Sequence, residues 1–376
     1  MYDEIPVNCV DLARQLVRFP SLNPPGEEKE CADYLAGLLE RAGLEVELHE
    51  FAAGRPSIVA RLRGKSELKP VVFTGHLDVV PVGEKPWSAP PFAAEIRDGK
   101  LLGRGSSDMK SGVAAFVAAV SAQAKRRTPR RGITLVITAG EETGCQGAFH
   151  LANAGVLGPA ELLIVAEPSS NLPIIAHKGS IRLRIAAKGR TAHSSMPELG
   201  DNAIYKAAEW IRRIEALTFE NHSHPLLGHT TVSVTTVFGG QNINSVPDRA
   251  GFTVDFRTVP AQDHGELVGK IQRLCDGEAS VEVITDFNGF ATAPDDGAIE
   301  PLMNILAERI GSRPDPTGAP YFTDASALVP GFGNVATVVI GPGEAAQCHQ
   351  TDEFCYVHRI DQACEIYTAL IRRMCE

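Results

Sequence analysis

The chain has 376 residues, 44% of them hydrophobic, so it can bury a large core. That length exceeds what one core usually fills, which favours two domains. Asp and Glu total 46 against 36 Lys and Arg, giving a net charge of −10 and a pI near 5.6, which argues against nucleic acid or an anionic membrane as a partner.

Strand and helix patterns alternate in the first part of the chain. Apolar residues at helical spacing predict helices over 7–19 and 27–42, and from residue 110 onwards. Strand-like runs are predicted at 44–51, 57–62, 71–74, 133–138 and 162–166. The last two are continuously apolar, as in strands covered by helices on both faces. This alternation predicts an α/β fold with a mixed, mostly parallel sheet.

The pattern changes near Lys178, where apolar and polar residues begin to alternate. The predicted order is strand 181–187, helix 202–217, strands 231–238 and 251–257, helix 262–275 and strand 280–285. That β-α-β-β-α-β order is typical of a ferredoxin-like α+β domain. The α/β character returns afterwards, so we predict a discontinuous first domain, 1–178 plus 289–376, interrupted by an inserted domain, 179–288.

The chain carries no signal for export or membrane insertion. The N-terminal segment is acidic and amphipathic, and the longest apolar helical run, 113–124, is too short to span a bilayer. The eight cysteines are scattered without a CxxC pair, which favours reduced thiols. We therefore expect a soluble, cytoplasmic protein.

Five residues of metal-binding type follow or close strand-like runs. These are His76 in GHLD, Asp108 in GRGSSDMK, Glu142 in GEETG, Glu167 in AEP and His349 in CHQTDEF. Each has an ordinary interpretation alone, such as a helix cap for Asp108 or an exposed loop residue for His349. Together they predict a centre for two divalent metal ions, with zinc favoured and manganese or cobalt as alternatives.

Two further acidic residues accompany this set. Asp78 lies two residues after His76, so in extended chain both side chains point the same way, and a carboxylate there can hold the second ring nitrogen of a metal-bound histidine. Glu141 precedes Glu142 after a buried strand, so one carboxylate can bind metal while its neighbour faces substrate.

The motifs GHLDVVP, GRGSSDMK, GEETG, AEP, AHSSMPELGDNAI, NSVPD and HQTDEF closely resemble the co-catalytic dizinc amidohydrolase and metallopeptidase family. That family includes acetylornithine deacetylase, succinyl-diaminopimelate desuccinylase, aminoacylase and glutamate carboxypeptidase, and the resemblance covers essentially the whole chain. It implies that His76 and Glu167 hold one metal, that Glu142 and His349 hold the other, and that Asp108 bridges them.

The resemblance also implies roles outside the ligand set. Asp78 would orient His76, and Glu141 would be the general base. The inserted domain would be a lid and homodimerisation domain. Its His193 would serve the active site of the neighbouring subunit. Asn244 and Arg257 match positions that contact polar groups of the substrate. His222, His224 and His229 lie in the polar stretch NHSHPLLGH, which we interpret as a lid loop without a metal role.

The substrate is less defined. The Thr-Asp-Ala core of the segment 321–326 resembles the deacetylase side of the family, with Tyr321 and Thr323 as candidate acyl-pocket residues. We expect hydrolysis of a small N-acyl amino acid, with desuccinylase and then dipeptidase or carboxypeptidase activity as alternatives. A metal-binding scaffold with an inactive site is the alternative of a different class, but a binding protein would not need Glu141, Asp78 and His193.

Overall fold

The structure, a computed structural model, describes residues 7–219 and 223–376. The chain divides into two compact units. The first contains the described residues up to Ile175 together with Thr292–Thr317 and Thr323–Glu376, and the second contains Ala176–Ala291 and Gly318–Phe322. No pattern in the sequence predicts that Gly318–Phe322 belongs to the second unit. None of the helices in the described ranges is both long and apolar enough to cross a membrane.

The α-helices of the described residues are, in chain order, α1 Cys9–Val17, α2 Lys29–Arg41, α3 Ser111–Arg126, α4 Gln146–Asn153, α5 Ala203–Glu215, α6 His264–Leu274, α7 Glu300–Ile310, α8 Ala325–Gly331 and α9 Val357–Cys375. Polar side chains cap the N-termini of several of these helices. Asn8, Asn202 and Asp263 accept hydrogen bonds from backbone N–H groups in the first turns of α1, α5 and α6. These caps satisfy donors that a helix start otherwise leaves free.

The strands are β1 Glu45–Glu50, β2 Pro56–Leu62, β3 Val71–His76, β4 Ile96–Arg97, β5 Lys100–Leu102, β6 Ile133–Thr138, β7 Leu162–Val165, β8 Ile174–His177, β9 Gly179–Lys188, β10 Ser223–His224, β11 Gly228–His229, β12 Thr231–Gly239, β13 Arg249–Thr258, β14 Ser280–Phe287, β15 Phe290–Ala291, β16 Thr317–Ala319, β17 Thr337–Val339 and β18 Phe354–Tyr356.

The first unit is built on a mixed sheet with the order β1-β2-β6-β3-β7-β17-β8. Its central strands β6, β3, β7 and β17 are mutually parallel, whereas β1, β2 and β8 pair antiparallel. The carboxyl ends of the parallel strands meet at one edge, which is where ligands bind in open α/β sheets. The predicted mixed, mostly parallel sheet is confirmed.

Helices cover this sheet with apolar side chains. Helices α3 and α9 pack on β3 and on each other, and α2 and α4 contact β2. A Cβ atom at Gly112 would lie 2.2 Å from the Ala166 carbonyl oxygen. Glycine at this position therefore lets the start of α3 approach the end of β7.

The second unit has the predicted β-α-β-β-α-β order. Its antiparallel sheet runs β12-β13-β9-β14, with α5 and α6 packed against it. Alternating residues of β9 and β13, such as Leu183, Ile185 and Phe252, form a core with Trp210 and Ile214 of α5. The period-two alternation in the sequence therefore places one face of each strand in the core.

Candidate metal centre

His76 is the last residue of β3 and is 1% exposed. Its Nδ1 lies 2.9 Å from the backbone carbonyl oxygen of Asp78 and 3.7 Å from the Asp78 carboxylate. A carbonyl oxygen can only accept, so Nδ1 donates to it, and Nε2 is the ring nitrogen that would bind a metal. The backbone of Asp78, more closely than its carboxylate, therefore orients this ring.

Asp108 lies between two histidines. Its Oδ1 is 3.1 Å from Nε2 of His76, and its Oδ2 is 3.5 Å from Nε2 of His349. It sits in an irregular turn between Gly105 and α3, where a Gly105 φ of 83° redirects the chain. A carboxylate whose two oxygens face two different imidazoles has the geometry expected of a bridging ligand.

Glu142 and His349 form the second pair of candidate ligands. Glu142 Oε2 is 3.1 Å from His349 Nε2. Glu142 Oε1 is buried and has no hydrogen-bond partner within residues 7–219 and 223–376. The His349 side chain is 53% exposed, so this side of the centre is open to solvent.

Glu167 follows β7, next to β3 in the sheet, and is 5% exposed. Its Oε1 lies 3.7 Å from Nε2 of His76. His76 is thus approached by one carboxylate from its own sheet neighbour and by a second, Asp108, from the turn before α3. Parallel strand ends explain this arrangement, because β3 and β7 deliver their next residues to the same edge.

The Asp78 carboxylate holds the loop that follows β6. Its Oδ1 accepts hydrogen bonds from the backbone N–H groups of Gly140 (2.9 Å) and Glu141 (3.1 Å), and its Oδ2 accepts one from Glu142 (3.0 Å). Asp78 is fully buried. Its carboxylate therefore fixes the loop that carries the candidate base and one candidate ligand.

Glu353 holds the Asp108 turn in the same way. Its carboxylate accepts from the backbone N–H groups of Gly105 (3.0 Å), Ser107 (2.8 Å) and Asp108 (3.1 Å), and pairs with Arg104 Nη1 at 2.7 Å. Burial raises the pKa of Glu353 to about 7. Sequence reasoning missed this residue. Its one available signal was an acidic residue four positions after His349 in the same motif.

Asp324, at the start of α8, was also missed. It is 2% exposed, accepts a hydrogen bond from the Thr138 hydroxyl, and its Oδ1 is buried without a partner in the described part of the chain. Burial raises its pKa to about 6. The contact between Thr138 and Asp324 has no local sequence signal, because it joins residues from distant segments of the chain.

A local contact also reaches the candidate base. The Cys145 thiol, four residues further along the chain, donates to Glu141 Oε1 at 3.8 Å.

The buried carboxylates of the cluster would be stabilised by a nearby positive charge. Burial raises the pKa values of Glu141 and Glu167 well above their usual range, and neighbouring carboxylates raise them further. Burial alone would lower the pKa of His76, but the charges of Glu167 and Asp108 outweigh it and raise that pKa well above its usual range. Buried carboxylates that repel one another are stabilised by a bound cation.

The donor set fits divalent metals. Ligand atoms of His76, Asp108 and Glu142 lie within 4.8 Å of one another. Within the described ranges, this is the single group of at least three His, Cys, Asp or Glu residues that meets this criterion. Imidazole and carboxylate donors, with the unpartnered Glu142 Oε1 among them, suit zinc, manganese or cobalt.

Two candidate substrate-contacting residues of the second unit, His193 and Asn244, are exposed. His193 is exposed, with Nδ1 2.7 Å from Ser195 Oγ, and Asn244 is exposed on the segment that hydrogen-bonds to Ser194. His224 and His229 lie on the short strands β10 and β11, whereas His222 lies outside the described residues.

Arg257 on β13 is partly buried and pairs with Asp255, Nε to Oδ1, at 3.1 Å. Its guanidinium carbon lies 5.9 Å from the ring centroid of Phe322. Tyr321 belongs to the same short segment of the second unit and is half-buried. Thr323 belongs to the first unit and is 1% exposed, and its hydroxyl accepts from the Ala325 N–H at the start of α8. The Thr323 hydroxyl therefore has a structural partner at this helix start.

This chain is similar to known proteins over most of its length. The profile described as peptidase family M20/M25/M40 matches residues 72–373. A probable succinyl-diaminopimelate desuccinylase from Staphylococcus epidermidis is 31% identical over 382 aligned positions, covering 92% of this chain and 94% of that protein. An M20 family metallo-carboxypeptidase from Sulfolobus solfataricus superposes with a TM-score of 0.80 at 18% identity, covering 97% and 98% of the two chains. A dinuclear metal-binding peptidase of the M20 family from Bacillus subtilis gives a TM-score of 0.72 at 17% identity, covering 96% of each chain.

Proposed function

The chain belongs to peptidase family M20/M25/M40 and is a metallohydrolase of that family, and on this premise we propose that it hydrolyses the amide of a small N-acyl amino acid. One observation supports this reading above the others. Asp108 directs one carboxylate oxygen to each of two histidines, while Glu141 is held on the adjacent loop with no histidine within ion-pair distance in the described residues.

His76 and Glu167 would hold one metal ion, Glu142 and His349 the other, and Asp108 would contact both. Divalent ions held there would supply acidification of a water molecule and polarisation of the scissile carbonyl. Zinc is the expected metal, with cobalt or manganese as alternatives. Asp78 and Glu353 keep the ligand loops in place through backbone hydrogen bonds before metal or substrate arrives.

Glu141 moves the proton. It accepts the proton of the attacking water at its carboxylate and later delivers it to the nitrogen of the departing amine. Its burial and its like-charged neighbours Glu167 and Glu142 raise its pKa, which suits a group that must hold a proton between these two steps. His193, offered by a second copy in a homodimer, would donate a hydrogen bond to the developing oxyanion.

Two cations in the second unit support a substrate that carries a carboxylate. The strand register sets Gly179 against Thr258 and Thr231 against Arg257, so Lys178, His229 and Arg257 gather at one end of this sheet. The Lys178 Nζ donates to the His229 carbonyl oxygen at 2.6 Å. Burial lowers the pKa of Lys178, and the charge of Arg257 lowers it further. We assign Arg257 to the substrate carboxylate, with Asn244 binding a nearby polar group.

The acyl group is the finer part of the proposal. A succinyl group carries a second carboxylate, for which Lys178 offers a second cation near Arg257, and the S. epidermidis relative is named as a probable succinyl-diaminopimelate desuccinylase. The segment Thr323-Asp324-Ala325 favours an N-acetyl substrate instead, with Tyr321 and Thr323 at the acyl group. We place the desuccinylase reading first and the deacetylase reading second.

A substrate panel tests the proposal. The purified protein, supplied in turn with zinc, cobalt or manganese, is assayed on N-succinyl and N-acetyl forms of the same diamino acid and on a dipeptide, with release of free amine as the readout. Glu141→Gln protein is the control for contaminating hydrolases. Faster turnover of the succinyl compound is expected. Chelator-sensitive release from none of these compounds would instead favour a scaffold without hydrolase activity.

A further inference from the structure

Asn23 lies in the loop between α1 and α2 and is 2% exposed. Its loop runs beside the residues that follow β3. The Asn23 N–H donates to the Val79 carbonyl oxygen at 2.9 Å, and the Val79 N–H donates to Ser21 at 3.0 Å. These backbone bonds place the Asn23 side chain next to the Asp78 carboxylate, at the edge of the sheet where His76 ends β3.

Both hydrogens of the Asn23 amide have partners. Nδ2 donates to Asp78 Oδ2 at 2.7 Å and to Thr143 Oγ1 at 2.9 Å. An amide NH₂ group has two hydrogens, so its donating capacity is filled. Asn23 therefore connects the buried carboxylate to the loop that carries Glu141 and Glu142.

The hydrogen bond from Asn23 also occupies the last acceptor position of the Asp78 carboxylate. A carboxylate offers about four lone-pair positions. Oδ1 accepts from Gly140 and Glu141, and Oδ2 accepts from Glu142 and Asn23. Asn23 is the one side-chain donor in this set, whereas the other three donors belong to the loop that is being held.

Thr143, the second acceptor of the Asn23 amide, is itself held by hydrogen bonds. The Thr143 hydroxyl donates to Gln146 Oε1 at 3.2 Å, which leaves its lone pairs for Asn23. Gln146 Oε1 also accepts from Arg55 Nη1 at 3.2 Å, and Arg55 pairs with the fully buried Glu28. The donor and acceptor directions agree along the whole chain of bonds from Glu28 to Asp78.

We propose that Asn23 is a positioning residue that acts through Asp78 and Thr143 to fix the loop bearing the general base Glu141. This inference rests on the proposed function for its kinetic consequence, whereas the order of the loop is measurable without any substrate. Asn23 does not touch the reacting atoms. Its loss leaves a lone pair of a buried carboxylate unpaired and frees the loop that this carboxylate holds.

Near-isosteric variants separate this role from simple packing. Asn23→Leu keeps the branching of the side chain and removes both donors, whereas Asn23→Asp also places a second carboxylate against Asp78. We expect kcat to fall about 10–100-fold in Asn23→Leu and further in Asn23→Asp, with KM within about twofold of the parent. Thr143→Ser keeps the hydroxyl and should keep kcat, while Thr143→Val should lose part of it.

Hydrogen exchange provides the substrate-free readout. The amides of residues 140–142 should exchange at least about tenfold faster in Asn23→Leu, with exchange in the rest of the first unit unchanged. Gln123→Leu is the matched control, because Gln123 is a 3% exposed amide that donates to Arg127 on the remote end of α3. Unchanged exchange at 140–142, or equal acceleration throughout the unit, would overturn the proposal. If the parent protein cleaves no amide, the proposed function fails while this exchange result still decides the role of Asn23.

Discussion

The two units hold their polar residues in different ways. In the first unit, Asp78 and Glu353 are buried and each accepts three backbone N–H bonds from a ligand-bearing loop. In the second unit, His193 and Asn244 are exposed, and Arg257 pairs with its neighbour Asp255. The candidate metal ligands are thus fixed by the fold, whereas the candidate substrate groups are less constrained by their surroundings. Catalysis requires fixed geometry, which buried side chains with several hydrogen bonds provide. Exposed side chains are better suited to binding substrates of different shape.

The largest effect should come from Glu141. Glu141→Gln is nearly isosteric and keeps the hydrogen bond that the backbone N–H of residue 141 donates to Asp78, but its side chain cannot accept the proton. We expect kcat to fall about 10²–10⁴-fold with both metals retained. Turnover of Glu141→Gln close to that of the parent protein would overturn the base assignment.

His349→Ala should instead lower the metal content, measured by elemental analysis of the purified protein.

Arg257 should have a smaller effect that depends on the substrate. Arg257→Gln removes a cation that is partly exposed, so we expect about a tenfold loss of kcat/KM, mostly as a higher KM, for substrates bearing a carboxylate. Arg184→Gln is the control, because Arg184 lies on the neighbouring strand β9 and pairs at the surface with Glu282. A comparable loss on an amide without a carboxylate would contradict the recognition role and assign Arg257 to the stability of its own unit.

His177 should affect stability rather than rate. It is fully buried, its Nδ1 lies 3.0 Å from the Lys178 carbonyl oxygen, and its Nε2 has no partner among the described residues. Burial lowers its pKa from 6.5 to about 4. The unfolded chain therefore takes up the proton first as pH falls. Its contribution to the free energy of unfolding is complete above pH 6.5 and declines by about 3 kcal/mol as pH approaches 4.

Urea denaturation at several pH values measures this contribution. Between pH 7 and pH 4 the parent protein should lose more stability than His177→Leu, by an amount close to that decline, with both proteins compared metal-free. Parallel pH dependences in the two proteins would mean that His177 is not the titrating group. Activity at neutral pH should be similar in both, because His177 is neutral there and lies outside the metal centre.

Many of the helices and strands could be predicted from the sequence, because hydrophobic periodicity is a local property. The alternation in residues 181–187 and 251–257 predicted β9 and β13, and the continuous apolar run 133–138 matches β6 in full. Helices α4 and α8 were missed. Helix α4 begins after Cys145 with a φ of 53°, and α8 is a short helix containing Pro330, so neither carries a strong local start signal.

Residue types and spacing alone determined the class of chemistry, because imidazole and carboxylate groups at the ends of apolar runs are costly unless they bind something. They determined the α/β architecture and the inserted ferredoxin-like domain as well. Only the tertiary structure decided which groups hold those ligands in place. Glu353 reaches Asp108, and Asn23 reaches Asp78, from distant segments of the chain, and contacts of that kind leave no periodic trace in a sequence.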